Sequence, residues 1–242
     1  MADIATVIPA PDAASLMAWW HEMGVDTLVD ENPVPWLDRG RAKAPLASEP
    51  EPPPAEIRMP STLPAFTRWL MDSPDVPEAG PADRRMAVSG NPQASLMVMV
   101  DMPELDDPDA GHLLSGNVGE LFDRMLAALQ LDRDSAYIAA LCPGRIPTGL
   151  IPAGSEPRLG EIARHHIALA GPKQLWLMGS AVSRAILGME LAKARGTLHK
   201  INHENGTVDA VVSFSPQFLL QSPRRKADAW ADMQMLIRGN QA

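Results

Sequence analysis

The chain has 242 residues, 45% of them apolar, and a formal charge of -9, enough for one medium domain with an appendage and a real core. Its single cysteine, Cys142, excludes an intrachain disulfide framework and an iron–sulfur cluster held wholly by the chain's own thiols. The acidity is confined to the front: residues 1–83 carry 5 Lys and Arg against 14 Asp and Glu, residues 84–242 carry 16 of each, so nucleic-acid affinity resting on overall charge is disfavoured.

The opening MADIATVIPAPD has neither a basic flank nor a long apolar stretch, so no secretory signal is expected. No later apolar run reaches the length of a membrane span. Together with the single thiol this points to a cytoplasmic protein and no membrane partner. Asp12 is placed to cap a helix ending near Met23, with Gly24 as its stop. Leu16, Trp19, Trp20 and Met23 give that helix an apolar face, either docked on the rest of the chain or offered to a protein partner. EPEPPPAEIRMP then reads as an extended proline-rich linker, with a short helix over 64–71. The expected organisation is an N-terminal helical segment (1–44), a proline-rich acidic linker (45–84) and a main domain (85–242).

From residue 85 onward apolar runs alternate with amphipathic segments. Strands are expected at 96–100, 136–141, 174–178 and 208–214, and helices at 118–129, 158–170, 179–187 and 223–237. Such alternation predicts a three-layer α/β/α sandwich on a central four-stranded parallel sheet. In open sheets of this kind, the loop after a strand is where ligands sit, which draws attention to residues 101–116.

The motifs along these loops fall into a known pattern. Val100-Asp101-Met102-Pro103-Glu104 stands where G-E-A-P-G would follow the first strand, and Gly111-His112-Leu113-Leu114-Ser115-Gly116 aligns with G-x-P-F-V-G. The helix 121–133, LFDRMLAALQLDR, matches L-L-D-R-M-L-A-A-I-G-L-D-R, and Tyr137-Ile138-Ala139-Ala140 matches Y-I-A-N. Arg145 and Pro147, Leu187-Gly188, Arg195-Gly196 and Ser215-Pro216-Gln217-Phe218-Leu219-Leu220 (for H-P-A-Y-L-L) complete the series. In these residues the chain resembles the uracil-DNA glycosylase superfamily, specifically the family-four type common in bacteria.

The resemblance implies hydrolysis of the bond between a flipped base and deoxyribose in DNA base-excision repair. It places Asp101 and Ser215 at the catalytic positions and Met102, Pro103, Leu114 and Ala140 around the base. Gly116, Arg145, Arg195, Pro216, Gln217 and Arg224 fall on the DNA-side loops. The substituted positions set the expectation for activity. Asp101 is a shortened acid, and Leu114 replaces the aromatic ring that stacks on the base, forfeiting part of about 1–3 kcal/mol. Ala140 replaces the asparagine that reads the uracil edge. Ser215 replaces the histidine that would steady charge on the departing base, a loss worth about 2.7–4 kcal/mol of barrier. Val100 and Glu104 stand where the pattern has glycine, and Glu104 brings a carboxylate to the presumed DNA path.

Activity on uracil is therefore expected to be weak or lost. Two other readings stay open: a non-catalytic scaffold or interaction module, and a glycosylase for another damaged base. Partners are DNA, single- or double-stranded, or a protein contacting the front segment. The family's iron–sulfur cysteines are absent, His165 falling at one such position and Asp72 or its neighbours near another, so neither cofactor nor metal is expected. Asp101 itself is open between a water-orienting base and a capping residue. Glu104, Asp106, Asp107 and Asp109 read as a solvated acidic turn rather than a cation site. His165 and His166 diverge on a helix, His199 and His203 flank a hairpin at Asn205-Gly206, and Arg224-Arg225-Lys226 is either a phosphate contact or a solvated face. Met97, Met99, Met125 and Met178 read as core filling.

Overall fold

Every residue of Leu96-Met97-Val98-Met99-Val100 is buried, and the side chains divide by parity between two cores. Met97 and Met99 join one apolar cluster with Tyr137, Ala139, Leu175, Leu177, Ala210 and Val212. Leu96, Val98 and Val100 join the other with Ala136, Ile138, Trp176, Met178 and Val211. A strand buried on both faces needs a continuous apolar run and helices on either side, and that is what the computed structural model contains.

The structure describes Ser15 and residues 18–23, 59–203 and 205–239. It divides into two compact units, Met1–Glu56 and Ile57–Ala242. In the first, residues 18–22 are helical, and Trp19, Trp20 and Met23 are exposed. Asp12, Gly24 and the run EPEPPP lie outside the described residues.

The second unit is built on a six-stranded sheet: β1 (Val88–Gly90), β2 (Leu96–Val100), β3 (Ala136–Ala140), β4 (Gln174–Met178), β5 (Leu198–His203) and β6 (Gly206–Ser213). Its order is β1-β3-β2-β4-β6-β5. The four inner strands β3, β2, β4 and β6 are mutually parallel, as the alternating pattern predicts. Two antiparallel edges extend them: β1 beside β3 and β5 beside β6, the latter a hairpin turning at Asn205-Gly206.

One face is covered by α1 (Leu63–Asp72), α4 (Glu156–Ala170) and α5 (Ser180–Leu187), through Phe66, Leu70, Leu159, Ile162 and Val182 among others. On the other face lie α3 (Gly116–Ala128), α7 (Pro216–Gln221) and α8 (Lys226–Gly239), through Phe122, Leu126, Leu219, Ala229 and Met233. Two single-turn helices, α2 (Asp107–Ala110) and α6 (Leu191–Ala194), sit in the connections. This is the three-layer sandwich. The short helix of the presumed linker is thus part of the second unit's packing, since Phe66 and Leu70 are its anchors.

Candidate active site

Register fixes where the site lies. Ala140 pairs with Val100, Val100 with Met178, and Met178 with Ser213, so all four parallel strands stop on one row. The residues just beyond that row, Asp101, Leu141, Gly179 and Phe214-Ser215, come to one end of the sheet, where open α/β sheets hold ligands.

Asp101 is not poised toward open solvent. Its Oδ1 accepts the Val182 N–H at 2.8 Å, placing the carboxylate on the first turn of α5, eighty-odd residues along the chain from its own strand. Gly179 at the end of β4 makes this possible. It has φ +136, and a Cβ there would lie 2.4 Å from the Asp101 carboxyl atoms, so only glycine admits the contact. Burial pushes the Asp101 pKa up to about 6, against the lowering pull of the Val182 amide and the Arg184 charge. The contact ties the end of β2 to the first turn of α5, whose own N-cap residue is Gly179.

Ser215 is used in the same way. It is the N-cap of α7, where its Oγ accepts the Phe218 N–H at 3.3 Å. Both polar groups at the catalytic positions are therefore engaged by the amides of a following helix.

Residues 101–116 are organised by a carboxylate that the acidic run disguises. Asp107 is wholly buried. Its Oδ2 accepts the amides of Glu104 (2.8 Å) and Leu114 (2.9 Å), and its Oδ1 that of Ser115 (2.7 Å). The expectation of a solvated acidic turn thus fails at Asp107, whose three amide contacts replace water. Arg133 grips the same segment from its carbonyl side, donating to Leu113 O at 2.8 Å and Leu114 O at 2.6 Å. Between them Leu114 is held at φ +56, a left-handed conformation that costs a bulky residue about 1–3 kcal/mol. Gly119 on α3 completes the grip, because a Cβ there would fall 2.1 Å from Leu114 O.

These elements enclose a pocket lined by Val100, Asp101, Met102, Glu104, Leu114, Arg145, Gly149, Ser215, Pro216 and Gln217. Its volume is about 50 Å³. A cavity that admits benzene measures about 150 Å³, so in this conformation the space takes water but not a six-membered base. Glu104 is one of the lining residues. It is half-buried, and Arg145 donates to its Oε2 at 3.2 Å and to Pro103 O at 2.9 Å. Burial raises the Glu104 pKa, with Arg145 opposing and Asp107 reinforcing the shift.

Asp101, Met102, Leu114, Arg145, Ser215, Pro216 and Gln217 are thus brought together as the motifs imply. Other residues of the set stand apart from the lining. Pro103 is buried beside it, with its carbonyl turned to Arg145. Ala140 is buried in the second core and donates its amide to Ala87 O. Gly116 opens α3 on the exposed side. Arg195 is tied to buried Asp232 at 2.7 Å and stacked on the Phe214 ring at 3.9 Å. Arg224 is exposed on the turn before α8. Reading the sequence missed Asp107, Arg133 and Gly149. The first two carried a signal only in combination, an acid and an arginine flanking the loop from either side.

The residues at the presumed cluster position do not suit iron–sulfur ligation. His165 Nε2 lies 2.9 Å from Pro60 O, and its ring meets Phe66 edge-on. His166 is buried on the Tyr137 hydroxyl at 2.8 Å, and burial, then the neighbouring His165, lowers its pKa to about 3. Cys142 is turned to the carbonyls of Glu78 and Gly144, and burial raises its pKa to about 11, the reverse of what a thiolate ligand needs. Among the described residues no three His, Cys, Asp or Glu side chains converge as a metal site.

The family model of the uracil DNA glycosylase superfamily matches residues 87–234, from the strand preceding the pocket to the last helix. This chain belongs to the uracil-DNA glycosylase superfamily. It is also 20% identical over 154 residues to a type-4 uracil-DNA glycosylase of Archaeoglobus fulgidus, an alignment covering 61% of this chain and 77% of that protein. The family-four likeness and the α/β fold agree with the motifs. No helix among the described residues is long and apolar enough to cross a membrane.

Proposed function

We propose that this member of the superfamily has lost uracil excision, or keeps only a trace of it, and serves DNA base-excision repair as a non-catalytic module. The observation that carries this reading is the size of the pocket lined by the two polar groups left at the catalytic positions. Asp101 Oδ1 accepts the Val182 amide and Ser215 Oγ the Phe218 amide, and the pocket they line measures about 50 Å³, too small for a base. Water activation needs a carboxylate free to accept a proton from water, and charge stabilisation on a departing base needs a donor aimed at it. The pocket leaves no room for a base beside either group, and a neutral serine hydroxyl brings no positive charge to a departing base. Ala140 adds no group that could read a base edge.

The reading extends to DNA affinity. Of the arginines that the motifs put on the DNA side, Arg145 is paired with Glu104 and Arg195 with Asp232, which leaves Arg224 as the exposed one. DNA binding is accordingly weak and shallow in its salt dependence. A single buried thiol suits a cytoplasmic setting.

The test is a single-turnover assay with single- and double-stranded oligonucleotides carrying uracil, hypoxanthine or xanthine. The reading expects no abasic product above the rate of protein-free controls. Product that forms with the wild type and disappears in Asp101→Ala overturns it, and the base that is released then names the substrate.

A further inference from the structure

A second concavity lies away from this pocket, on the face formed by α3, α7 and α8, and shares no lining residue with it. Its floor and walls are Leu121, Met125, Leu219, Ala229, Trp230 and Met233, and its volume is about 160 Å³, close to that of cavities which hold one benzene ring. Trp230 is 43% exposed. A half-exposed tryptophan beside an apolar slot of that size has the character of an interaction hot spot.

The charges around the slot are unbalanced. Arg124 and Lys226 line it, and Arg224 and Arg225 precede Lys226 on the same turn. Nearby carboxylates are fewer: Glu120 touches Arg124 at 3.4 Å, Asp228 touches Arg225 at 3.1 Å, and Asp123 of α3 is taken by Arg133. An apolar slot with a cationic rim selects for a large apolar side chain flanked by acids. Nucleic acid fits less well. Trp230 is the one aromatic ring in the lining, so at most a single base could stack there and no row of rings follows successive bases.

We infer that this slot is the docking site for an acidic amphipathic segment of a protein partner, held as a helix in a groove with one large apolar anchor. The inference does not depend on whether the pocket above Asp101 is catalytic.

The experiment titrates the full chain, by fluorescence anisotropy, into a labelled glutamate-rich helical peptide of about four turns with one central tryptophan. Companion probes replace that tryptophan by serine, or the glutamates by lysine, or use an oligothymidylate. Saturable binding of the acidic tryptophan peptide is expected, weaker by roughly tenfold for the serine probe and for the Ala128→Glu protein. Lys226→Glu should weaken it and flatten its salt dependence. Ala128 and Lys226 are both exposed, and circular dichroism checks that each variant is folded. The inference is overturned by absence of saturable binding, by equal binding to wild type and both variants, or by displacement of the peptide by oligothymidylate.

Discussion

Asp107 and Arg133 hold Leu114 from opposite sides, the carboxylate taking its N–H at 2.9 Å and the guanidinium its C=O at 2.6 Å. Neither residue lines the pocket, yet together they set the shape of its wall. Asp107 accepts three buried amides, and an amide nitrogen in place of one oxygen would face an N–H donor. Asp107→Asn should therefore lower unfolding stability by about 1–3 kcal/mol. Asp106→Asn, at an exposed neighbour, should change it by less than about 0.5 kcal/mol. Urea unfolding of the two variants beside wild type decides the matter; equal effects would mean that Asp107 is not the anchor.

The Asp101 carboxyl makes stability depend on pH in a defined direction. Its pKa in the fold is about 6, against an ordinary value of 3.8. The fold thus favours the protonated form, and ionisation costs stability as pH rises from the ordinary value through about 6. Asn keeps an oxygen in place to accept the Val182 N–H and does not ionise. Relative to wild type, Asp101→Asn should gain on the order of 2–3 kcal/mol between about pH 4 and about pH 7. A difference that is flat across that range would remove the burial effect.

Glu104 lines the pocket and occupies Arg145 at once. Glu104→Gly puts back the residue of the family pattern, widens the pocket and returns Arg145 to solvent. Binding of single-stranded DNA should strengthen at low salt, and the log–log salt slope should steepen by about 0.7, the increment for one phosphate contact. An unchanged slope would show that Arg145 does not face the nucleic acid.

Arg195 and Asp232 form an ion pair at 2.7 Å. Their side chains are 15% and 2% exposed, so truncating Arg195 leaves a carboxylate buried without its cation. Arg195→Ala should cost about 3–5 kcal/mol, while Arg195→Met with Asp232→Leu should recover most of it. Thermal unfolding of the single and double variants gives the comparison. A mild single variant that weakens DNA binding instead would return Arg195 to the DNA side.

What sequence could show depended on how local the cause was. The strand Leu96–Val100 is apolar at every position, so its burial on two faces is visible at a glance, and with it the parallel layer. The β1 edge is three residues long and leaves no periodic trace. The site divides in the same way. Motif spacing brought Asp101, Leu114, Arg145 and Ser215 to one pocket, because strand ends and loop lengths carry that information. It did not show that Asp101 would bond Val182, because that contact needs β2 beside β4 in register. Nor did it show which of Asp106, Asp107 and Asp109 turns inward; three adjacent acids look alike until α2 places one of them beneath the amides of 114 and 115. The ion pair of Arg195 had no local sign either, since Asp232 approaches it from α8.

The loop of residues 101–116, where a strand runs out toward a ligand, now has a different kind of tolerance. A water-activating acid has almost no substitutes, whereas an N-cap has several of nearly equal worth. A saturation library selected for folding alone should accept Asn at 101, which keeps an oxygen for the Val182 amide, and Asp, Asn or Thr at 215. Gly179 should accept nothing larger, since any side chain there collides with the residue at 101. In this chain the glycine that carries no chemistry is harder to replace than the carboxylate beside it.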